Sequence, residues 1–156
     1  MFRRIFSGRF GWLFQLDQQA HVELACSTAE EFTKIYYENM DKKRLLMPKL
    51  YLDSAAVVWN GNGFSGKESI IKHLEDLPGS HHTVTTLDAQ NINILFSESV
   101  TGNKLAYVIQ VYGIVKYEIH REQKSFHQNF MIITDEDNKW KIASDCFRLQ
   151  DAIQKS

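Results

Sequence analysis

The chain has 156 residues, 44% of them hydrophobic, with 18 basic and 19 acidic side chains, a length suited to one domain that buries roughly two thirds of its unfolded surface. Balanced charge excludes the broad electrostatic footprint with which domains hold nucleic acid, and no run of about 18 apolar residues is available to span a membrane. Its two cysteines, Cys26 and Cys146, do not make a secreted disulfide framework and are read as reduced thiols.

The N-terminal stretch up to Leu16 differs from the rest. Arg3, Arg4 and Arg9 are interleaved with Phe2, Ile5, Phe6, Phe10, Trp12, Leu13 and Phe14, and no acid precedes Asp17. Organellar transit peptides share this composition, but it is a loose signal, and Gly8 and Gly11 weaken a helix. Residues 1–17 are therefore expected to be a disordered basic and aromatic extension, and residues 18–152 the folded domain.

From Gln18 to Asp41, apolar residues at Val22, Cys26, Ala29, Phe32, Tyr36 and Met40 follow the spacing of one amphipathic helix. Ser27 to Glu30 has the form of a capping box, but the stripe runs through it, so it lies inside the helix. A shorter helical piece over Lys43 to Tyr51 is interrupted by Pro48. Ala55 to Trp59 predicts a short strand, and Asn60-Gly61 is the strongest dipeptide signal for a tight hairpin turn. A third helix opens at Ser65 or Gly66, turns Ile70, Ile71, Leu74 and Leu77 inward, and stops at Pro78-Gly79.

Past Gly79 the period changes. Thr83 to Phe96, Lys104 to Tyr117, Ser125 to Thr134 and Lys139 to Arg148 are strand candidates joined by short polar loops, the habit of antiparallel sheets. Helices followed by such a sheet make an α+β layout. Leu105 to Tyr117 is apolar on both faces, with Tyr107, Ile109, Val111 and Val115 on one and Ala106, Val108, Tyr112 and Ile114 on the other. The helices can cover one face; the other wants a partner or a ligand. Beside it, Val84, Thr86, Asp88, Gln90, Ile92 and Ile94 share one face of their strand, and neighbouring strands add Gln110, Tyr112 and Gln128. Apolar surface with sparse polar groups is how interface cores look, and a carboxylate there calls for a cation from the partner.

Gly61-Asn62-Gly63-Phe64-Ser65-Gly66-Lys67 has the spacing of a phosphate-binding loop. It fails at Glu68, where a hydroxyl is needed and a carboxylate repels phosphate, and no parallel strand follows it. The glycines are read as turn residues and Lys67 as a surface residue. His73, His81 and His82 are the nearest histidine cluster, yet adjacent strand residues point to opposite faces and no further ligand completes a metal set, so they are read as exposed loop histidines. Asp88 and Asp145 lie inside strand patterns, where a carboxyl can carry a shifted pKa for catalysis or meet a partner's arginine.

Taken in order, Tyr51-Leu52-Asp53, Val58-Trp59-Asn60-Gly61, Phe64 to Ile70, Leu77-Pro78, Asp88-Ala89-Gln90, Phe126-His127-Gln128-Asn129-Phe130 and Trp140 to Arg148 resemble the nuclear transport factor two family, on the side of its messenger-RNA export cofactors, from Gln18 to Asp151. The resemblance implies a cone-shaped α+β fold, three N-terminal helices packed on a bent antiparallel sheet, and a role without catalysis, cofactor or metal. It implies an adaptor whose sheet pairs with a similar domain of a large messenger-RNA export receptor, the heterodimer engaging phenylalanine-glycine nucleoporins in nucleus, cytoplasm and nuclear pore. Neither nucleic acid nor membrane is bound directly. Asp88 falls on the family's strand aspartate, expected to meet a receptor arginine, with Gln90, Gln110, Tyr112 and Gln128 as further partner-binding residues. Import-type relatives bind Ran-GDP through an acidic loop; here Glu118 to Lys124 has mixed charge, which argues against Ran. The alternatives are a homodimeric import factor for Ran-GDP and a small-molecule isomerase or dehydratase with Asp145 or Asp88 as base and Tyr112 as donor.

Overall fold

In the computed structural model the backbone is described for residues 9–92 and 104–150, and side chains from Gln19 onward within those ranges. Helix α1 (Arg9–Lys42) starts ahead of the expected Gln18. Leu13, Gln15, Leu16, Gln18, Gln19 and Ala20 are good helix formers with no proline among them, so nothing in the sequence stops the ladder at Gln18. The buried stripe begins at Ala25, not at Val22, which is 54% exposed, and runs through Ala29, Phe32, Tyr36, Tyr37 and Met40. Thr33, the hydroxyl in that stripe, is satisfied by donating to the Ala29 carbonyl at 2.7 Å. Among the described residues no helix is long and apolar enough to cross a membrane.

A 3-10 helix (Arg44–Leu50) follows and contains Pro48. From its start the Arg44 guanidinium donates to the carbonyls of Leu74, Leu77 and Pro78. These carbonyls lie in and just past the last turn of helix α2 (Lys67–Asp76), where a cation also complements the helix dipole. Ile70 and Leu74 of α2 are fully buried, and Ile71 and Leu77 pack at the edge of the core.

Strands β1 (Tyr51–Trp59), β2 (Asn62–Ser65), β3 (Ser80–Asn91), β4 (Ala106–Tyr117), β5 (Lys124–Thr134) and β6 (Trp140–Gln150) form one sheet in the order β2-β1-β6-β5-β4-β3. Asn60 (φ 49) and Gly61 (φ 85) make the two-residue turn between β1 and β2, the positive φ pair that twists a hairpin correctly. Every neighbouring pair is antiparallel except β1 and β6, which are parallel. The expectation of an antiparallel sheet misses this pair. A helix and four strands separate β1 from β6 in the chain, so no hairpin forces them to oppose. Ile94 and Phe96, expected at the end of the third strand, lie outside the described residues.

α1 packs against β3 and β4, and α2 against β1. The odd-numbered face of β4 turns to these helices, with Tyr107, Ile109, Val111 and Val115 essentially buried, each such side chain contributing roughly 1.5–3 kcal/mol. Phe126, Phe130 and Ile132 of β5 and Phe147 of β6 join them, Phe147 stacking on Trp59 with centroids 4.0 Å apart. A bulge between Val84 and Thr86 bends β3 and shifts its parity, so Val84 no longer shares a face with Thr86, Asp88 and Gln90. Gly113 sits opposite the bulge, where a Cβ would lie 2.3 Å from the Thr83 carbonyl oxygen and 2.8 Å from the Phe126 ring.

The histidines divide. His81 is exposed, but His73 stacks on Phe64 at 4.2 Å. The His82 side chain is 1% exposed, its Nδ1 2.6 Å from Asp41 Oδ1 and its amide donating to Oδ2 at 2.8 Å. Neither is a loop residue: β3 begins at Ser80, and strand alternation turns Ser80 and His82 to the end of α1, where Asp41 accepts from both.

Candidate functional site

Strand register sets the outer face of the sheet, the one turned away from the helices. One row across it reads Asp88, Gln110, Asn129, Cys146 and Val58, from β3 to β1. The row on one side reads Gln90, Val108, Met131, Ser144 and Ala56; that on the other reads Thr86, Tyr112, His127 and Arg148. Asp88, Gln90, Gln110 and Tyr112 are all exposed on this face. Tyr112 is 41% exposed and Val58 43%, so apolar surface continues past the polar row. A single carboxylate, amides and rings in this setting can pair with a cation, bind hydrogen-bonding groups and cover apolar area, as interface cores do.

Gln128 is not part of it. It is fully buried on the inner face, because strand alternation groups it with Phe126 and Phe130, a signal present in the sequence. Its carbonyl accepts from the Tyr37 hydroxyl at 2.8 Å, and its amide donates to Asp145 Oδ1 at 2.8 Å and to the Tyr36 hydroxyl at 3.1 Å. Tyr51 donates to Asp145 Oδ2 at 2.9 Å. Burial pushes the Asp145 carboxyl from 3.8 up to about 7, against the hydrogen bonds from Gln128, Tyr51 and Tyr36 that favour its charged form. Burial first, and then the nearby Asp145 charge, hold the Tyr36 and Tyr51 hydroxyls well above 10.0.

A raised carboxyl beside tyrosine hydroxyls is the chemistry of a general acid. Here it is packed. Asp145 is 2% exposed, and Tyr36, Tyr51, Phe130 and Phe147 around the cone interior are 1% or less. Among the described residues, one surface cavity lies at the start of α2 between Asp53, Lys67 and Glu75, and another lies by Tyr51, Lys104, Asp135 and Lys141. Asp88, the other carboxyl singled out, is on the opposite face of the sheet. The phosphate-loop spacing resolves into a hairpin and a helix start, with Lys67 Nζ 3.0 Å from Asp53. His127 and Asn129, on the outer face beside Tyr112 and Gln110, were not singled out by the sequence reading, although both alternate with Gln128.

A Nuclear transport factor 2 (NTF2) domain model matches residues 28–149. The chain is 41% identical over 139 residues to NTF2-related export protein 2 of Homo sapiens, covering 87% of this chain and 94% of that protein. Nuclear transport factor 2 from Cryptosporidium parvum has a similar structure, with a TM-score of 0.68 at 19% identity over 81% of this chain and 94% of that one. So has a chain of the Candida albicans Mtr2–Mex67 M domain complex, with a TM-score of 0.59 at 14% identity over 81% and 96%; at these identities the likeness is one of fold. The chain therefore belongs to the nuclear transport factor 2 family and is similar over most of its length to an export-related member.

Proposed function

We propose that the chain is a non-enzymatic adaptor that pairs, through the outer face of its sheet, with the nuclear transport factor two-like domain of a messenger-RNA export receptor. The heterodimer engages phenylalanine-glycine nucleoporins and works between nucleus and cytoplasm at the pore. The observation that carries the reading is the outer face itself: Asp88, Gln90, Gln110 and Tyr112 are exposed together among apolar side chains, with no helix of the described chain packed over them. Similarity to a human export-related protein and the fold shared with the Mtr2–Mex67 M domain complex support it. Asp88 meets an arginine of the receptor, and Gln90, Gln110 and Tyr112 contact it around that pair.

The packing around Asp145 supports a structural role for that carboxyl over an enzymatic one. The segment from Glu118 to Gln123 is exposed and carries both Arg121 and two glutamates, which disfavours Ran. Co-purification with the receptor domain tests the proposal. Asp88→Arg sets like charges against each other and is expected to weaken binding more than about 100-fold, roughly 3 kcal/mol. Retention of the receptor by Asp88→Arg at wild-type level would overturn the role of Asp88.

A further inference from the structure

Among the described residues, three buried side-chain polar atoms have no hydrogen-bond partner within the protein: His73 Nε2, His127 Nε2 and Asn129 Oδ1. Folded proteins leave few such atoms, and each requires a reason. Two of the three lie on β5 at alternate positions, hence on one face of one strand. It is the outer face, because Phe126, Gln128 and Phe130 point into the core. β5 is an interior strand, held between β4 and β6. The cross-strand neighbours leave both atoms unpaired: His127 lies between Tyr112 and Arg148, and Asn129 between Gln110 and Cys146. Tyr112 instead lies flat on the imidazole, with centroids 4.3 Å apart and planes 5° from parallel.

We propose that His127 and Asn129 form a two-point polar anchor into which the docking domain inserts one carboxamide side chain, an asparagine or a glutamine. Its amino group donates to Asn129 Oδ1, and its carbonyl accepts from His127 Nε2. The inference deepens the reading of the outer face as the receptor's docking surface and rests on it. Asn129 Oδ1 is an acceptor and requires a donor, while His127 Nε2, where it carries a ring proton, requires an acceptor. A carboxamide supplies both without charge. An arginine satisfies Asn129 but meets Arg148, which is paired across the strands with His127. A carboxylate satisfies His127 and is repelled by Asn129 Oδ1. Both atoms are covered in the free chain, so docking shifts a neighbour; Tyr112, 41% exposed and in contact with the imidazole, is the side chain placed to turn.

The test uses the full chain and the purified nuclear transport factor two-like domain of a messenger-RNA export receptor, with affinity measured by calorimetry and thermal unfolding measured on the free chain. His127→Phe keeps a ring under Tyr112 and removes the nitrogen. Asn129→Leu keeps the size and removes the oxygen. Each is expected to bind about tenfold more weakly, about 1.4 kcal/mol, while the Tm of the free chain stays level or rises, since an unpaired buried polar atom is gone. Unchanged affinity in both variants overturns the anchor, as does a Tm that falls along with affinity, the mark of a merely structural role. Wild-type binding that Asp88→Arg abolishes, with both anchor variants unaffected, removes the anchor and leaves the docking face standing. A wild-type chain that ignores the receptor domain and self-associates on sizing overturns the receptor itself as occupant.

Discussion

Replacing Asp145 with asparagine tests the electrostatics of the buried cluster. Burial raises this carboxyl from 3.8 to about 7 despite hydrogen bonds from Gln128, Tyr51 and Tyr36. The unfolded chain releases the proton near the lower value and the folded chain near the upper one. Between them the unfolded state binds fewer protons, so stability falls as pH rises through that window and levels off above it. Roughly three decades at about 1.36 kcal/mol each make the loss about 4 kcal/mol. In Asp145→Asn the amide oxygen accepts from Gln128 where Oδ1 did, at 2.8 Å. The new amino group donates to the Tyr51 hydroxyl, whose own proton turns to the Tyr36 hydroxyl 3.3 Å away, while Tyr36 gives up its long 3.5 Å bond to Oδ2. The variant is therefore expected to lose most of this pH slope and to exceed the wild type in stability above about pH 7. Urea unfolding at intervals from about pH 4 to about pH 9 measures both. A wild-type curve that is flat between 3.8 and 7, or a variant that keeps the wild-type slope, would refute the reasoning.

The other substitutions probe how the sheet and helix ends are held. Gly113→Ala drives a methyl group against the Thr83 carbonyl and Phe126 and is expected to cost about 1–3 kcal/mol; a thermal midpoint equal to wild type would show that the bulge has room. For Asp41, burial pushes the carboxyl up, but the hydrogen bonds and charge of His82, with Ser80, more than offset that and hold it below 3.8. Its contribution is thus complete above 3.8 and lost as pH falls through the folded value. Asp41→Asn is expected to be about 1.5–3 kcal/mol less stable near neutrality and to lose that acid-side slope; equal stability in denaturant titrations would count against it. Arg44→Met removes the donors to Leu74, Leu77 and Pro78 while keeping an apolar stem. It is expected to cost about 1–3 kcal/mol, with faster hydrogen exchange confined to the last turn of α2.

Elements set by local chemistry were legible before the structure. The Asn60-Gly61 turn, the Pro78 stop and the alternation of β4 follow from backbone sterics and side-chain period, which act within a few residues. Features set by distant partners were not. Nothing near Val57 or Val58 announces a parallel neighbour at Asp145 and Cys146. Asp41 and His82 look like a helix-end acid and a loop histidine until α1 and β3 meet. Asp88, Gln90, Gln110 and Tyr112 stand out by their polarity within apolar runs and lie exposed on the outer face; Gln128 stands out by the same criterion and is buried on the inner one. Polarity does not tell a docking group from a satisfied core amide; parity with Phe126 and Phe130 does. His127 and Asn129 stand out in sequence only as part of a family motif, because their distinguishing property, a buried atom with no partner, exists only in three dimensions.

The place of β6 bears on when this protein can be assembled. The last strand among the described residues is inserted between β1 and β5, and its Leu149 amide donates back over 89 residues to the Asn60 side chain. Until residues 140–150 have left the ribosome, β2-β1 and β5-β4-β3 are separate ribbons with open edges, exposed to wrong pairing. Closing them is a long-range event, and long-range contacts are slow to form. Ser144, Cys146 and Arg148 of the outer face arrive with that strand, so a partner meets a finished surface only once β6 is in place, and a frameshift or nick in this stretch divides the sheet rather than trimming its margin.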